Sequence, residues 1–457
     1  MLLLLALVLV STTVTVDGAC KTIGHVYDCA NSGRTSIPDF TTIPNPGSIT
    51  IVNLNNNLIR TVPIHAFKGL THKDLEINLG HNNITSIQDG AFDAVYDTLI
   101  KLTLRSNNLR DLSQAQDIGK LNKLSYLDIK DNDFPDGTTL DRGTTDNVFR
   151  LIGDTITEFH FGGRNIATWP RVALTHFPKL DTLNYEGGYL ANVPYDGFHG
   201  FEHTLRKLHI SHTQLRQIPL AISQLTQLQE LYFDDNIHVH DSGIFAQAFA
   251  TLTHTTSPLK VLSLQNDGLS RFPAVLRNLV NLKELNMGRN NLWYVADDAL
   301  SLLINASITK MGLSGCQLDR IPQALLKLPS MAELDVSNNN IQSIERYDMS
   351  NQPTITKLNV SHNPLAYIST EAFQSLPALE VIDFSSTAMT QIPRAIINTP
   401  ALKTLNLANC LIECTCDLTW ITRRLHQGKT FIGTCETIEQ PVESYIQTRV
   451  PTCPARR

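Results

Sequence analysis

The side chains with the most distinctive chemistry in this sequence are its eight cysteines and fifteen histidines. The cysteines are unevenly placed. Cys20 and Cys29 stand near the start, Cys414, Cys416, Cys435 and Cys453 near the end, and Cys316 and Cys410 between them. In an oxidising compartment, cysteines crowded at the ends of a chain hold short segments that bury too little apolar surface of their own. A bond between Cys20 and Cys29 is expected, and the four C-terminal cysteines allow three pairings. Several histidines gather mid-chain, where His209 and His212 are followed by Tyr232, Asp234 and Asp235. Such a group changes charge near neutral pH. No spacing, His238-Val-His240-Asp241 included, matches a zinc motif, so neither a metal nor another cofactor is expected. The sequence has no G-x-S-x-G elbow, H-E-x-x-H helix, phosphate loop or C-x-x-C pair, and it is read as a non-enzyme.

A repeat positions these residues. An asparagine or its substitute recurs fifteen times from Asn57 to Cys410, mostly 23 to 26 residues apart. The clearest copies are Leu102-Thr-Leu104-Arg-Ser-Asn107-Asn-Leu109, Leu334-Asp-Val336-Ser-Asn-Asn339-Asn-Ile341 and Leu358-Asn-Val360-Ser-His-Asn363-Pro-Leu365. The Leu-x-Leu step has period 2 and marks a short strand with one buried and one exposed row. Returning to the same face in every copy requires a crossover. Pro63, Pro170, Pro194, Pro219, Pro273, Pro322 and Pro393 begin several of these, since proline fixes extended geometry where no ladder bond is needed. Ala66-Phe67, Ala91-Phe92 and Ala372-Phe373 then return apolar groups to the core through short helices, 3₁₀ turns or extended pieces. The expected fold is an α/β leucine-rich-repeat solenoid of about 15 repeats, curved and right-handed, with a parallel sheet on its concave face and disulfide-capped ends. Cys316 and Cys410 take the closing position of their repeats, about 19 Å apart at ordinary strand spacing. That is too far for a bond, and they are expected to be buried free thiols. The longer intervals Asn132 to Arg164 and Asn236 to Asp267 should form loops or short helices away from the strands.

Residues 1–18 read as a secretory signal peptide, with cleavage after Gly18 or its neighbour Ala19. No later stretch has the length and apolarity of a membrane span, and secretion to an extracellular location is expected. The formal charge of −6 comes without a basic stripe, which argues against nucleic-acid binding. The run Cys414-Thr-Cys416-Asp417-Leu418-Thr-Trp420-Ile421, followed by Cys435 and Cys453, resembles the C-terminal cap of extracellular leucine-rich-repeat proteins. Those include Toll-type receptor ectodomains, Slit-like proteins, insect leucine-rich immune proteins and lamprey variable lymphocyte receptors. The resemblance implies pairing of Cys414 with Cys435 and of Cys416 with Cys453, and a Trp420 buried under the last repeat. It also implies a rarely catalytic protein that binds proteins, glycans or lipids. The N-terminal cap, with two cysteines, departs from the common four-cysteine form. The domain reading is a signal peptide at 1–18, an N-terminal cap at 19–48, a solenoid at 49–412 and a C-terminal cap at 413–457.

The exposed strand positions differ along the chain. Repeats three to eight offer Arg105, Tyr126, Asp128, Lys130, His160, Glu186, His209, Tyr232 and Asp234 as partner-binding candidates, a charged and aromatic set of the kind interfaces favour. Later repeats carry small residues such as Ser314, Ser337, Ser361 and Ser385. An adjacent column runs Lys207, Glu230, Val261, Glu284, Lys310, Glu333 and Lys357, in which opposite charges should pair across neighbouring strands. The sequons at Asn83 and Asn305 lie off these columns. The functional expectation is a secreted recognition or regulatory protein in innate immunity or cell-surface signalling. Its partner would be an extracellular protein or glycan, such as a receptor or microbial surface component, with no membrane insertion. The competing expectation is a passive extracellular matrix scaffold.

Overall fold

The structure, a computed structural model, describes residues 20–252, 257–303, 306–421 and 427–454. The expected signal peptide and the Asn305 sequon lie outside them. The described residues fall into two compact units. One runs to Asn165 and includes His176–Lys179; the other comprises Ile166–Thr175 and the chain from Leu180 onward.

In the first unit, Lys21–Ile23 turns back antiparallel on Val26–Asp28, closed by the Cys20–Cys29 disulfide. From Val26–Asp28 onward the strands are parallel: Ile51–Asn53, Leu75–Asn78, Leu99–Thr103, Tyr126–Asp128 and Glu158–Gly162. Their register places Tyr27, Val52, Ile77, Leu102, Leu127 and Phe159 in one inward row, and every member is buried. On the outer side, Phe40, Phe67 and Phe92 stack with ring centroids 6.0 and 5.4 Å apart. The Ala-Phe pairs therefore return apolar groups to the core as their spacing requires.

The long Asn132 to Arg164 interval contains the helix Gly143–Ile152, whose buried Thr145, Val148, Phe149 and Ile152 follow helical spacing. Phe149 meets Phe159 and Phe177 edge-on, each at 5.5 Å. Gly153 follows the helix, and only glycine fits there because a Cβ would collide with the carbonyl oxygen of His176.

The second unit stacks eleven parallel strands from Thr182–Glu186 to Thr430–Ile432. Its crossovers are mainly 3₁₀ helices. Pro219, Pro273, Pro322 and Pro393 each immediately precede one, at Leu220–Gln224, Ala274–Asn278, Gln323–Lys327 and Arg394–Asn398. The second long interval forms the 3₁₀ turns Asp241–Gly243 and Ala246–Leu252. Cys414–Cys435 and Cys416–Cys453 are bonded, and Cys316 and Cys410 are buried free thiols. Trp420 corrects one expectation. It is only partly buried, and the Arg394 guanidinium lies 5.8 Å from its ring.

The closing residues explain the regularity. Asn290 lies buried, with Nδ2 donating to the carbonyls of Leu264, Met287 and Gly288 at 2.7, 2.8 and 3.3 Å. Its Oδ1 accepts from the amides of Asp267 and Leu269, both at 3.0 Å. One side chain thus satisfies groups of two successive repeats that water cannot reach. Asn82, Asn107, Asn132, Asn339 and Asn363 do the same in their own turns. The residue before the closing position sits at positive φ in most copies, as at His81, His212, Asp235 and Arg289. Each unit is a leucine-rich-repeat solenoid with a parallel sheet and a disulfide at its chain end.

Candidate functional site

Each unit carries, on the open face of its own sheet, a small cluster built from the same four residue types. In the first, Lys101 from Leu99–Thr103 places Nζ 4.3 Å from the centroid of the Tyr126 ring. That ring meets His160 from the next strand, centroids 4.9 Å apart, and His160 Nε2 pairs with Glu158 Oε1 at 2.7 Å. Burial, followed by the charges of Asp128 and Glu158, pushes the Tyr126 phenol well above its ordinary range. It stays neutral.

In the second unit, His209 and Tyr232 are register partners on Lys207–Ser211 and Glu230–Tyr232. Their rings stack with centroids 4.2 Å apart and planes 4° from parallel. Lys207 Nζ lies 5.2 Å from the Tyr232 centroid and 3.2 Å from Glu230 Oε2, to which the Tyr232 hydroxyl donates at 3.1 Å. Burial and then the Glu230 charge push the Tyr232 phenol up to about 12. The arrangement is a flat aromatic platform, oriented by a cation on its face and a carboxylate at its hydroxyl. It offers planar apolar area and polar edges while its side chains are already ordered.

The remaining candidates divide. Arg105 pairs with Asp131 at 3.0 Å and is a third exposed. Glu186 is half-buried at the end of its strand. Asp234 is held by Ser263 Oγ at 2.6 Å and the Gln265 amide at 2.8 Å, and burial raises its pKa. Asp128 and Lys130 correct the expectation of an open column. They are only 3% and 4% exposed. The Asp128 carboxylate accepts from the Lys130 amide at 3.0 Å, and its register partner is His160, whose ring tilts against Tyr126. The strand period gives the direction of a side chain but does not by itself set its exposure.

Sequence reasoning missed Lys101 and Glu158, which orient the first cluster. It also missed Asn266 and Arg289, which reach Asp235 Oδ1 at 2.8 and 3.8 Å, while His212 reaches Oδ2 at 3.7 Å. The shared position before the closing residue was the available signal. The charge ladder was legible: Glu284 with Lys310 at 3.0 Å, Glu333 with Lys357 at 2.8 Å, and a further pair, Glu380 with Lys403, at 2.8 Å. Near it, a depression of about 410 Å³ is lined by Gly312 and by the paired Lys310, Glu333 and Lys357. Asn83 is exposed. Among the described residues, no group of three or more His, Cys, Asp or Glu side chains is placed to hold a metal, and no helix is long and apolar enough to cross a membrane.

The leucine rich repeat family profile matches residues 47–95, 75–134, 306–365 and 353–412. A volume-regulated anion channel subunit, LRRC8A of Rattus norvegicus, is 29% identical over 192 residues, 41% of this chain and 23% of its own. Podocan-like protein 1 of Homo sapiens is 29% identical over 231 residues, 45% of this chain and 43% of its own. The chain therefore spans about a quarter of the channel subunit and less than half of the podocan-like protein. Among solved structures, the mouse RP105/MD-1 complex is similar with TM-score 0.60 at 18% identity, covering 93% of this chain and 77% of that one. The TLR13 complex with a single-stranded RNA is similar with TM-score 0.53 at 19% identity, covering 80% and 60%. At these identities the structural likeness shows the fold alone.

Proposed function

We propose that this chain is a secreted recognition protein that binds an extracellular protein partner through the open face of its sheet, centred on Tyr232 and His209. The stacked pair carries the reading. Two rings held parallel, with the ion-paired Lys207 and Glu230 fixing the tyrosine at its ring and its hydroxyl, lose little conformational freedom when a partner covers them. Aromatic anchors ringed by polar groups are where binding energy concentrates at interfaces. The end disulfides support an oxidising, extracellular setting. Two solved structures of similar fold are the RP105/MD-1 complex and the TLR13 complex with a single-stranded RNA; the formal charge of −6 favours a protein over a polyanion. The role fits innate recognition or cell-surface regulation rather than catalysis.

The test begins with proximity capture in the native extracellular fluid and identification of the captured proteins. Binding of the purified partner to the full chain is then compared for Tyr232→Ala, His209→Ala and Ser385→Ala. Loss in the first two alone supports the reading; capture restricted to structural matrix components, unaffected by the three changes, supports passive scaffolding instead.

A further inference from the structure

Asp267 occupies the closing position between Asn236 and Asn290, is fully buried, and differs from both neighbours in having no amide to donate. Its Oδ1 does the work of an asparagine oxygen, accepting from the Asn236 amide at 2.9 Å. The second oxygen, Oδ2, is buried with no hydrogen-bond partner. In Asn290 the corresponding atom is an NH₂ that donates to three backbone carbonyls. Four other substitutes in this unit keep a donor. Cys316 Sγ donates to the Met287 carbonyl, Cys410 Sγ and Thr387 Oγ1 to that of Phe384, and Thr213 Oγ1 to Asn236 Oδ1. An ionised aspartate would aim negative charge where the Asn, Cys and Thr closing residues offer hydrogen.

We propose that Asp267 is held as a neutral carboxylic acid in the folded protein, its Oδ2 hydroxyl standing in for the missing amide, so that this joint between repeats tightens as pH falls. The surroundings favour the proton. Asp234 and Asp235 of the preceding repeat add negative charge, and burial is the largest influence, raising the carboxyl to about 9. The basic side chains nearby are engaged elsewhere: His212 and Arg289 face Asp235. From the long turn, the His240 amide donates to the Asp267 backbone carbonyl, its ring nitrogen lies 3.3 Å from the Gly268 carbonyl, and Asp241 accepts from Ser270.

The sign follows from linkage. An unfolded aspartate is ionised above about pH 4, so folding takes up a proton between there and about 9. This stabilisation is fully present below the unfolded pKa and is lost as pH rises through the folded one, by up to about tenfold in the local closing constant per pH unit. The inference holds whether or not the sheet face binds a partner.

The test is hydrogen exchange at the Asn236 amide in the full chain, wild type against Asp267→Asn, between pH 5 and pH 9. The asparagine variant restores the residue used in neighbouring repeats and should fold. The protection ratio of variant to wild type is expected to grow steadily with pH, and the Asp267 carboxyl ¹³C resonance should be that of the protonated acid at pH 7. Parallel profiles for the two proteins, or an ionised resonance at pH 7, would overturn the proposal.

Discussion

His209 and Tyr232 lie face to face across two parallel strands, their ring centroids 4.2 Å apart and their planes within 4° of parallel. Burial and then the charge of Glu230, whose carboxylate accepts the tyrosine hydroxyl, hold the phenol up at about 12. Its ultraviolet titration should therefore show no Tyr232 ionisation below pH 11. Glu230→Gln removes the nearby negative charge and should move that ionisation downward, as read by the difference from a Tyr232→Phe protein. An unshifted titration would show that Glu230 does not set the environment of the ring.

Asn290→Ala is expected to destabilise the second unit. It leaves the buried amides of Asp267 and Leu269 without their acceptor and the Leu264 carbonyl without the Asn290 donor, while the Met287 and Gly288 carbonyls still accept from Cys316 Sγ and the Asn266 amide. Each buried group left unpaired costs about 1–3 kcal/mol. Denaturant unfolding of the variant and wild type measures the loss, and a difference within error would contradict the role given to the closing residues.

The closing residues also show what was legible in the sequence. Their recurrence gives the strand positions, the inward leucines and the pairing of Lys207 with Glu230, observed at 3.2 Å, because each is a consequence of period and stacking. The end disulfides were legible in two ways: Cys20 with Cys29 from position, and the C-terminal pairs from family resemblance. Burial of Asp128 and Lys130 was not legible, since strand period gives the direction of a side chain and not how far its neighbours cover it. Nor was the isolation of Asp267 Oδ2. Asp and Asn are nearly the same shape, and only the orientation of the carboxyl within its turn shows which oxygen lacks a donor.

Cys316 should resist modification in the native protein. Its thiol is fully buried, donates to the Met287 carbonyl at 3.3 Å, and is pushed up to about 11 by burial. At pH 8 it remains a thiol rather than the reactive thiolate. Alkylation followed by peptide mass spectrometry should label it only after denaturation. Native labelling at the rate of a free cysteine would contradict its placement.

Gly153→Ala should destabilise the first unit, because the added methyl meets the His176 carbonyl oxygen at the end of the helix Gly143–Ile152. Overpacking of this kind costs about 1–3 kcal/mol. The thermal midpoint of the variant should fall. An unchanged midpoint would mean that the helix end moves away without loss.

The central claim, that the Tyr232 and His209 platform on the open sheet face binds a protein partner, is tested most directly by equilibrium binding of the captured partner to wild type, Tyr232→Ala and the face control Ser385→Ala. Loss of an interface anchor costs about 2 kcal/mol or more, so Tyr232→Ala should weaken binding at least about tenfold, with Ser385→Ala within about twofold of wild type. Equal affinity in all three proteins would contradict the account.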